Sequence, residues 1–195
     1  APQMVTQMLR LQQILSGYLT TDDGYQENFE TRRIDALLDI CYETSGKIII
    51  WSRFRYDIMK IAQVLSDNFG ENKVAKYFGD TTDDERSDII NRFQNPNSDL
   101  RFFIGNPSTA GRGLTLTEAQ TVVYYANDFN LDTRIQSEDR CHRIGQNKSV
   151  TYIDLISEGT IDEKIVHSLV NKIDLSAKVL GEEAKEWLQI KPKKA

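Results

Sequence analysis

The chain has 195 residues, 39% of them hydrophobic and 27% charged, with a formal net charge of −5. That composition suits a folded core rather than a disordered segment, and the sequence contains no run of about 18 apolar residues, the length a membrane span needs. An acidic balance excludes a domain that wraps nucleic acid by bulk positive charge, so any DNA contact has to be local.

In chain order, Met4, Met8, Leu11 and Leu15 are spaced as one face of a helix, and the polar stretch from Thr20 to Asn28, with Asp22-Asp23-Gly24, reads as a loop. Ile34, Leu37, Leu38, Cys41 and Tyr42 mark a second amphipathic helix that stops near Ser45-Gly46. Five strands are expected, at Ile48 to Trp51, Val74 to Phe78, Leu100 to Ile104, Thr121 to Tyr125 and Val150 to Ile156. Helices separate them. Thr82 to Glu85 and Thr160 to Glu163 are spaced as capping boxes, and Asn130 suits the N-cap of another helix. Strands alternating with helices imply an α/β fold with a mainly parallel sheet covered on both faces. The expected division is 1–45 as approach helices, 46–158 as the α/β core, and 159–195 as brace helices with a basic tail.

Ligands of open parallel sheets bind beyond the carboxyl ends of the strands. Polar loops are expected there: Ser52 to Arg55, Gly79-Asp80-Thr81, Gly105 to Gly113 with Ser108 and Thr109, and Asn127 to Asn130. Ordinary turn chemistry also favours Gly, Asn and Pro at such places. Gly111 and Gly113 permit a close backbone approach to a phosphate, or simply a tight turn. The stretch Gln136-Ser137-Glu138-Asp139-Arg140-Cys141-His142-Arg143-Ile144-Gly145-Gln146 places Gln136, Arg140 and Arg143 at i, i+4 and i+7 of a continuing helix. Two converging guanidiniums call for an anion, or else for screening by Glu138 and Asp139 on a solvated surface.

That last segment resembles motif VI of superfamily 2 helicases in the Swi/Snf-like branch of DNA translocases, roughly QAxDRxHRIGQ, with Ser137 where Ala is usual. Lys47 to Phe54 resembles motif IV of the same branch. Tyr77 to Thr81 with Glu85, Arg86 and Phe93 resembles its DGSTxxxR segment, and Ser108 to Leu116 with Val122 to Asn130 resembles motif V. The likeness runs collinearly from Lys47 to Ile173. In place of the STRAGGLGINL and DWNP of the chromatin-remodelling members stand Asn106 to Leu116 and Asp128 to Leu131, a form that looks like the compact phage and bacterial versions.

The resemblance implies a RecA-like second lobe of an ATP-dependent, DNA-stimulated translocase, cut from a longer protein. Arg140 and Arg143 would be arginine fingers, and Gln136, Gly111 and Gly113 would face the nucleotide. Ser52, Arg53, Gly79, Ser108 and Thr109 would lie against the backbone of duplex DNA. The cofactor would be ATP with Mg2+, held mainly by a first RecA-like lobe of the same parent polypeptide. No GxxxxGK followed by a hydroxyl residue is present, and Gly46-Lys47 lacks its surroundings; nor is there a DExH, so the isolated chain is expected to be inactive. The alternatives are a catalytically silent docking module for DNA or protein, and the nucleotide-sugar lobe of a glycosyltransferase. The setting implied is intracellular, in the cytoplasm of a bacterial or phage-infected cell, or the nucleus if the source is eukaryotic. Cys41 and Cys141 lack metal-ligand spacing and read as structural thiols.

Overall fold

A computed structural model describes residues 2–109, 114–141 and 149–180, without the side chains of residues 2–4 and 174–180. Its elements are α1 (Pro2–Leu15), β1 (Tyr18–Thr20), β2 (Gln26–Asn28), α2 (Arg33–Glu43), β3 (Lys47–Ser52), α3 (Arg55–Phe69), β4 (Val74–Tyr77) and α4 (Asp83–Gln94). They continue with β5 (Phe102–Gly105), β6 (Ala119–Ala126), α5 (Leu131–Glu138), β7 (Thr151–Asp154) and α6 (Ile161–Leu180).

Five strands form a parallel sheet in the order β4-β5-β3-β6-β7. The central strand β3 is buried throughout, as a run of apolar residues flanked by partners on both sides requires. Alternation assigns its residues to two cores. Ile48 and Ile50 join Phe102, Ile104, Val123 and Tyr125 beneath α2 and α3, which contribute Leu37, Cys41, Ile58, Ile61 and Leu65. Ile49 and Trp51 join Phe103, Val122 and Tyr124 beneath α4, which contributes Ile89 and Phe93. Gly105 is required by close approach: a Cβ there would meet the Tyr77 carbonyl oxygen at 2.7 Å and the Trp51 ring at 3.1 Å. The expected RecA-like α/β architecture is the one the chain adopts.

Direction of travel through the sheet locates its ligand-binding edge. From β3 the chain crosses to β4 through α3, whereas β4 to β5 and β6 to β7 run the opposite way through α4 and α5. Right-handed crossovers put opposite directions on opposite faces, and α3 and α4 indeed cover opposite cores. Connections therefore diverge from the carboxyl ends of β3 and β6, which opens a crevice between them.

Three local expectations need correction. The stretch read as a loop is a small antiparallel hairpin, β1 with β2, closed by a turn in which the Gly24 amide bonds to the Thr21 carbonyl. Its three-residue strands are too short to show alternation, and Gln26–Asn28 is exposed along its whole length. Gln12 on α1 and Ser16 just past its end are buried, while Leu11 is 50% exposed. The helix thus docks through the polar contacts of Gln12 alongside Leu9, which packs partly buried on the core beneath α2 and α3, while Leu11 of the expected stripe faces out. At the start of α6 the Thr160 hydroxyl accepts from the Asp162 amide and donates to Ser157 O. The Thr82–Glu85 capping box and the Asn130 cap form as expected.

Arg33 buries its guanidinium on Tyr125 O, Ser157 Oγ and Asp162, which ties α2 to the first turn of α6. Lys47 donates to the carbonyls of Arg92, Phe93 and Asn95, closing the C-terminal turn of α4. Its amine is therefore engaged in the lobe's own structure. No helix among the described residues is long and apolar enough to cross a membrane.

Candidate nucleotide and nucleic-acid interface

Because every strand of the sheet is parallel, the loops after β3, β4, β5 and β6 emerge on one rim, and side chains join them there. Asn106 donates its amide to the Arg53 carbonyl at 2.8 Å and accepts both the amide and the hydroxyl of Ser108. Arg53 reaches across the β3/β6 crevice, with Nη1 3.0 Å from Gln12 Oε1 and 3.5 Å from Asp128 Oδ1. Arg55 pairs with Asp80 at 2.6 Å, linking the start of α3 to the loop after β4. The rim is thus a braced surface whose loops hold one another.

Of the residues expected at the nucleic acid, Arg53 is partly exposed, Gly79 and Ser108 are exposed, and Thr109 is half-buried with its amide on the Asn106 carbonyl. Ser52 differs from the expectation. It is fully buried, its hydroxyl donates to Asp57 Oδ2 at 2.6 Å, and it accepts the Phe54 amide at 3.4 Å. A hydroxyl placed so cannot reach a phosphate; its contribution is to fix the turn that presents Arg53.

Asp57, on the first turn of α3, lies under this turn and is 1% exposed. Its Oδ2 also accepts from Ser16 Oγ at 3.1 Å, while Oδ1 is buried with no hydrogen-bond partner. Burial pushes its pKa up to about 6, against the opposing hydroxyls of Ser52 and Ser16 and the cations Arg33 and Lys60. A folded-state pKa raised above the unfolded one means that protonation favours the fold. Stability from this group is full below about pH 4, falls as the pH rises to about 6, and is flat above. Asp57→Asn keeps an acceptor for both serines and removes the charge. Urea unfolding is expected to show it more stable than the parent by at most roughly 3 kcal/mol at pH 7.5, with the difference shrinking toward pH 4.

The arginine-rich segment departs from a continuing helix. α5 ends at Glu138, and the Cys141 amide bonds back only three residues to the Glu138 carbonyl, so the ladder tightens as Cys141 enters the core. Arg140 follows the helix end and is 6% exposed, whereas Gln136 is exposed. Spacing taken from an uninterrupted helix therefore does not describe this pair. The Arg140 carbonyl accepts the Leu116 amide at 2.8 Å, so residues 114–116 and 139–141 lie side by side. Gly111, Gly113 and Arg143 lie outside the described residues, as does His142.

Arg134 escaped the sequence reading altogether. Buried at the base of α5, it donates to Glu138, to Asp154 at the end of β7 and to the Asn127 side chain, with its guanidinium carbon 3.6 Å from the centre of the Tyr124 ring. Burial works against its charge, but Tyr124, Asp154 and Glu138 outweigh that and hold its pKa above the usual arginine value. One position separates Arg134 from Gln136 in a polar run, and no periodicity signals which of them turns inward. Gln12, held between Arg53 and the Asn127 carbonyl, was missed for the same reason.

Among the described residues no group of three or more His, Cys, Asp or Glu side chains is placed to hold a metal ion. The donors assembled at this edge are guanidinium, amide and hydroxyl groups, which suit an anionic ligand such as a phosphate.

Residues 32–145, more than half of the chain, match the helicase conserved C-terminal domain. The chain is 32% identical over 150 residues to the SWI/SNF chromatin-remodeling complex subunit snf22 of Schizosaccharomyces pombe, covering 75% of this chain and 9% of that protein. It is 31% identical over 156 residues to the chromatin-remodeling ATPase INO80 of Arabidopsis thaliana, covering 79% of this chain and 10% of that one. Among solved structures, the SWI2/SNF2 ATPase core of Sulfolobus solfataricus in complex with dsDNA has a TM-score of 0.67 at 29% identity, over 89% of this chain and 36% of that one. The C-terminal part of the Fun30 ATPase domain has a TM-score of 0.63 at 31% identity, over 72% of this chain and 45% of that one. The chain thus spans about a tenth of the length of these curated relatives. They are eukaryotic, and the expectation of a compact phage or bacterial type finds no support in them. With the profile match, the parallel sheet and these relatives together, the chain belongs to the helicase conserved C-terminal domain family and has SWI/SNF-type ATPases as its homologues.

Proposed function

We propose that this chain is the second motor lobe of an ATP-dependent, DNA-stimulated translocase. ATP and Mg2+ would be held by a first RecA-like lobe of the parent polypeptide. Closure of the two lobes brings Arg140 and Arg143 toward the γ-phosphate, with Gln136 and the Gly111–Gly113 loop alongside the nucleotide. Arg53, the backbone at Gly79, and Ser108 with Thr109 grip the phosphates of duplex DNA without reading its bases. Ser52 acts from beneath by fixing the Arg53 turn.

The observation that carries this reading is the bond from the Leu116 amide to the Arg140 carbonyl, which holds the described ends of the motif V and motif VI segments together at one edge. In a motor of this kind those two segments must move as one body when the lobes close. The names of the eukaryotic relatives support a chromosomal setting, nuclear for a eukaryotic parent.

Burial of Arg140 favours a second reading, a RecA-like docking module for DNA or protein with no part in hydrolysis. Joining the chain to a family first lobe that carries the phosphate cradle and the magnesium carboxylates separates the two. A motor lobe yields ATP turnover that rises on adding duplex DNA, measured as phosphate release, whereas a docking module leaves turnover at the level of the first lobe alone.

A further inference from the structure

We infer that Gln12 is a positioning residue for Arg53, so that α1 forms part of the surface gripping the DNA backbone. The inference rests on Arg53 touching phosphate, as proposed above. Gln12 lies outside the residues 32–145 that match the family, and it is a polar side chain only 3% exposed. Both ends of its amide are used: Nε2 donates to the Asn127 carbonyl at 2.8 Å, and Oε1 accepts from Arg53 Nη1 at 3.0 Å. Asn127 follows β6 and Arg53 follows β3. One amide therefore spans the mouth of the crevice at which the sheet's connections diverge.

The rest of α1 supports this single function. Ser16, just past the end of the helix, donates to Asp57, the carboxylate that also anchors Ser52 beside Arg53. Val5 and Leu11 point outward, 60% and 50% exposed. A helix held by burial of apolar area tolerates sliding, because that attraction has no direction. Leu9 packs α1 on the core, and the hydrogen bonds of Gln12 and Ser16 add what that contact lacks, a fixed distance and angle.

Arg53 is set accordingly. Its backbone carbonyl is fixed by Asn106, one guanidinium nitrogen is fixed by Gln12, and Asp128 stands at a loose 3.5 Å. Its remaining N–H groups make no bond among the described residues, and its side chain is 28% exposed. A guanidinium presents a rigid fork, so fixing one nitrogen aims the others at an incoming phosphate.

The test is equilibrium binding of the 195-residue chain to a short mixed-sequence duplex across a salt series. Arg53→Ala is expected to lower the slope of log K against log salt by about 0.9, as loss of one phosphate contact requires. Gln12→Met fills the same space without the amide. It is expected to remove at least half of that slope, and Gln12→Met combined with Arg53→Ala should lose no more than Arg53→Ala alone. An unchanged slope for Gln12→Met beside a lowered one for Arg53→Ala, or losses that add, overturns the positioning role. An unchanged slope for Arg53→Ala removes the phosphate contact and this inference with it. Should Gln12→Met fail to fold, Gln12→Asn keeps a neutral amide one methylene too short to span from the Asn127 carbonyl to Arg53. A lowered slope for it is expected if Gln12 aims Arg53, and an unchanged slope overturns the positioning role.

Discussion

In an assembly of this chain with a first lobe, Arg143→Ala is expected to lower kcat for ATP by about 10³-fold or more while KM for ATP moves much less. The reason is the place where charge develops. In phosphoryl transfer the equatorial oxygens of the transferring group need compensation mainly in the transition state, and a guanidinium supplied from a second body is worth about 10³ to 10⁵ in rate. An interaction made only in the transition state appears in kcat rather than in binding. Arg143→Lys should recover little, since an ammonium cannot reproduce the planar fork. Arg140→Ala should lose activity and also melt earlier than the parent, because the Arg140 side chain is buried. Steady-state phosphate release at saturating duplex DNA measures all three. A fall in kcat of less than about tenfold for Arg143→Ala would exclude the finger role.

Arg134→Ala should be the most destabilising of the substitutions considered, at about 3 to 5 kcal/mol. Removing the guanidinium leaves Glu138, Asp154 and the Asn127 side chain without their shared donor, in a place from which most water is excluded. For a chain of this size such a loss lowers the thermal midpoint by roughly 10 °C. The penalty comes from stranded partners rather than from the strength of the pairs. Replacing the set together, as Arg134→Met with Glu138→Leu and Asp154→Asn, is therefore expected to recover much of the loss. Circular dichroism melting resolves this, and a midpoint for Arg134→Ala within about 2 °C of the parent would show that the network contributes little. Because Arg134 orients α5, which delivers the chain to Arg140, activity should decline along with stability.

What could be read from the sequence followed from periodicity and local chemistry. The runs Ile48 to Trp51 and Thr121 to Tyr125 are apolar on both faces, as strands covered on both sides must be, and they were placed to within a residue or two. Thr82 and Asn130 advertise helix starts through side chains that bond their own backbone. The site was only partly legible. Which polar residue turns inward is decided by partners distant in the chain: Arg33 meets Asp162, Arg134 meets Asp154, and Gln12 meets Asn127. Ser52 lies at the end of a strand, where an exposed hydroxyl is the ordinary expectation, yet Asp57 draws it inward. The end of α5 at Glu138 is set by Cys141 entering the core beneath Tyr124, a tertiary effect that no i, i+4 spacing contains.

Division of labour between two lobes is tested most directly by the isolated chain given saturating Mg-ATP and duplex DNA. A lobe that only completes another lobe's site hydrolyses ATP no faster than buffer does, with or without DNA, and gains turnover when the first lobe is supplied. Sustained DNA-stimulated hydrolysis by the purified chain alone, abolished by Arg143→Ala, would contradict it.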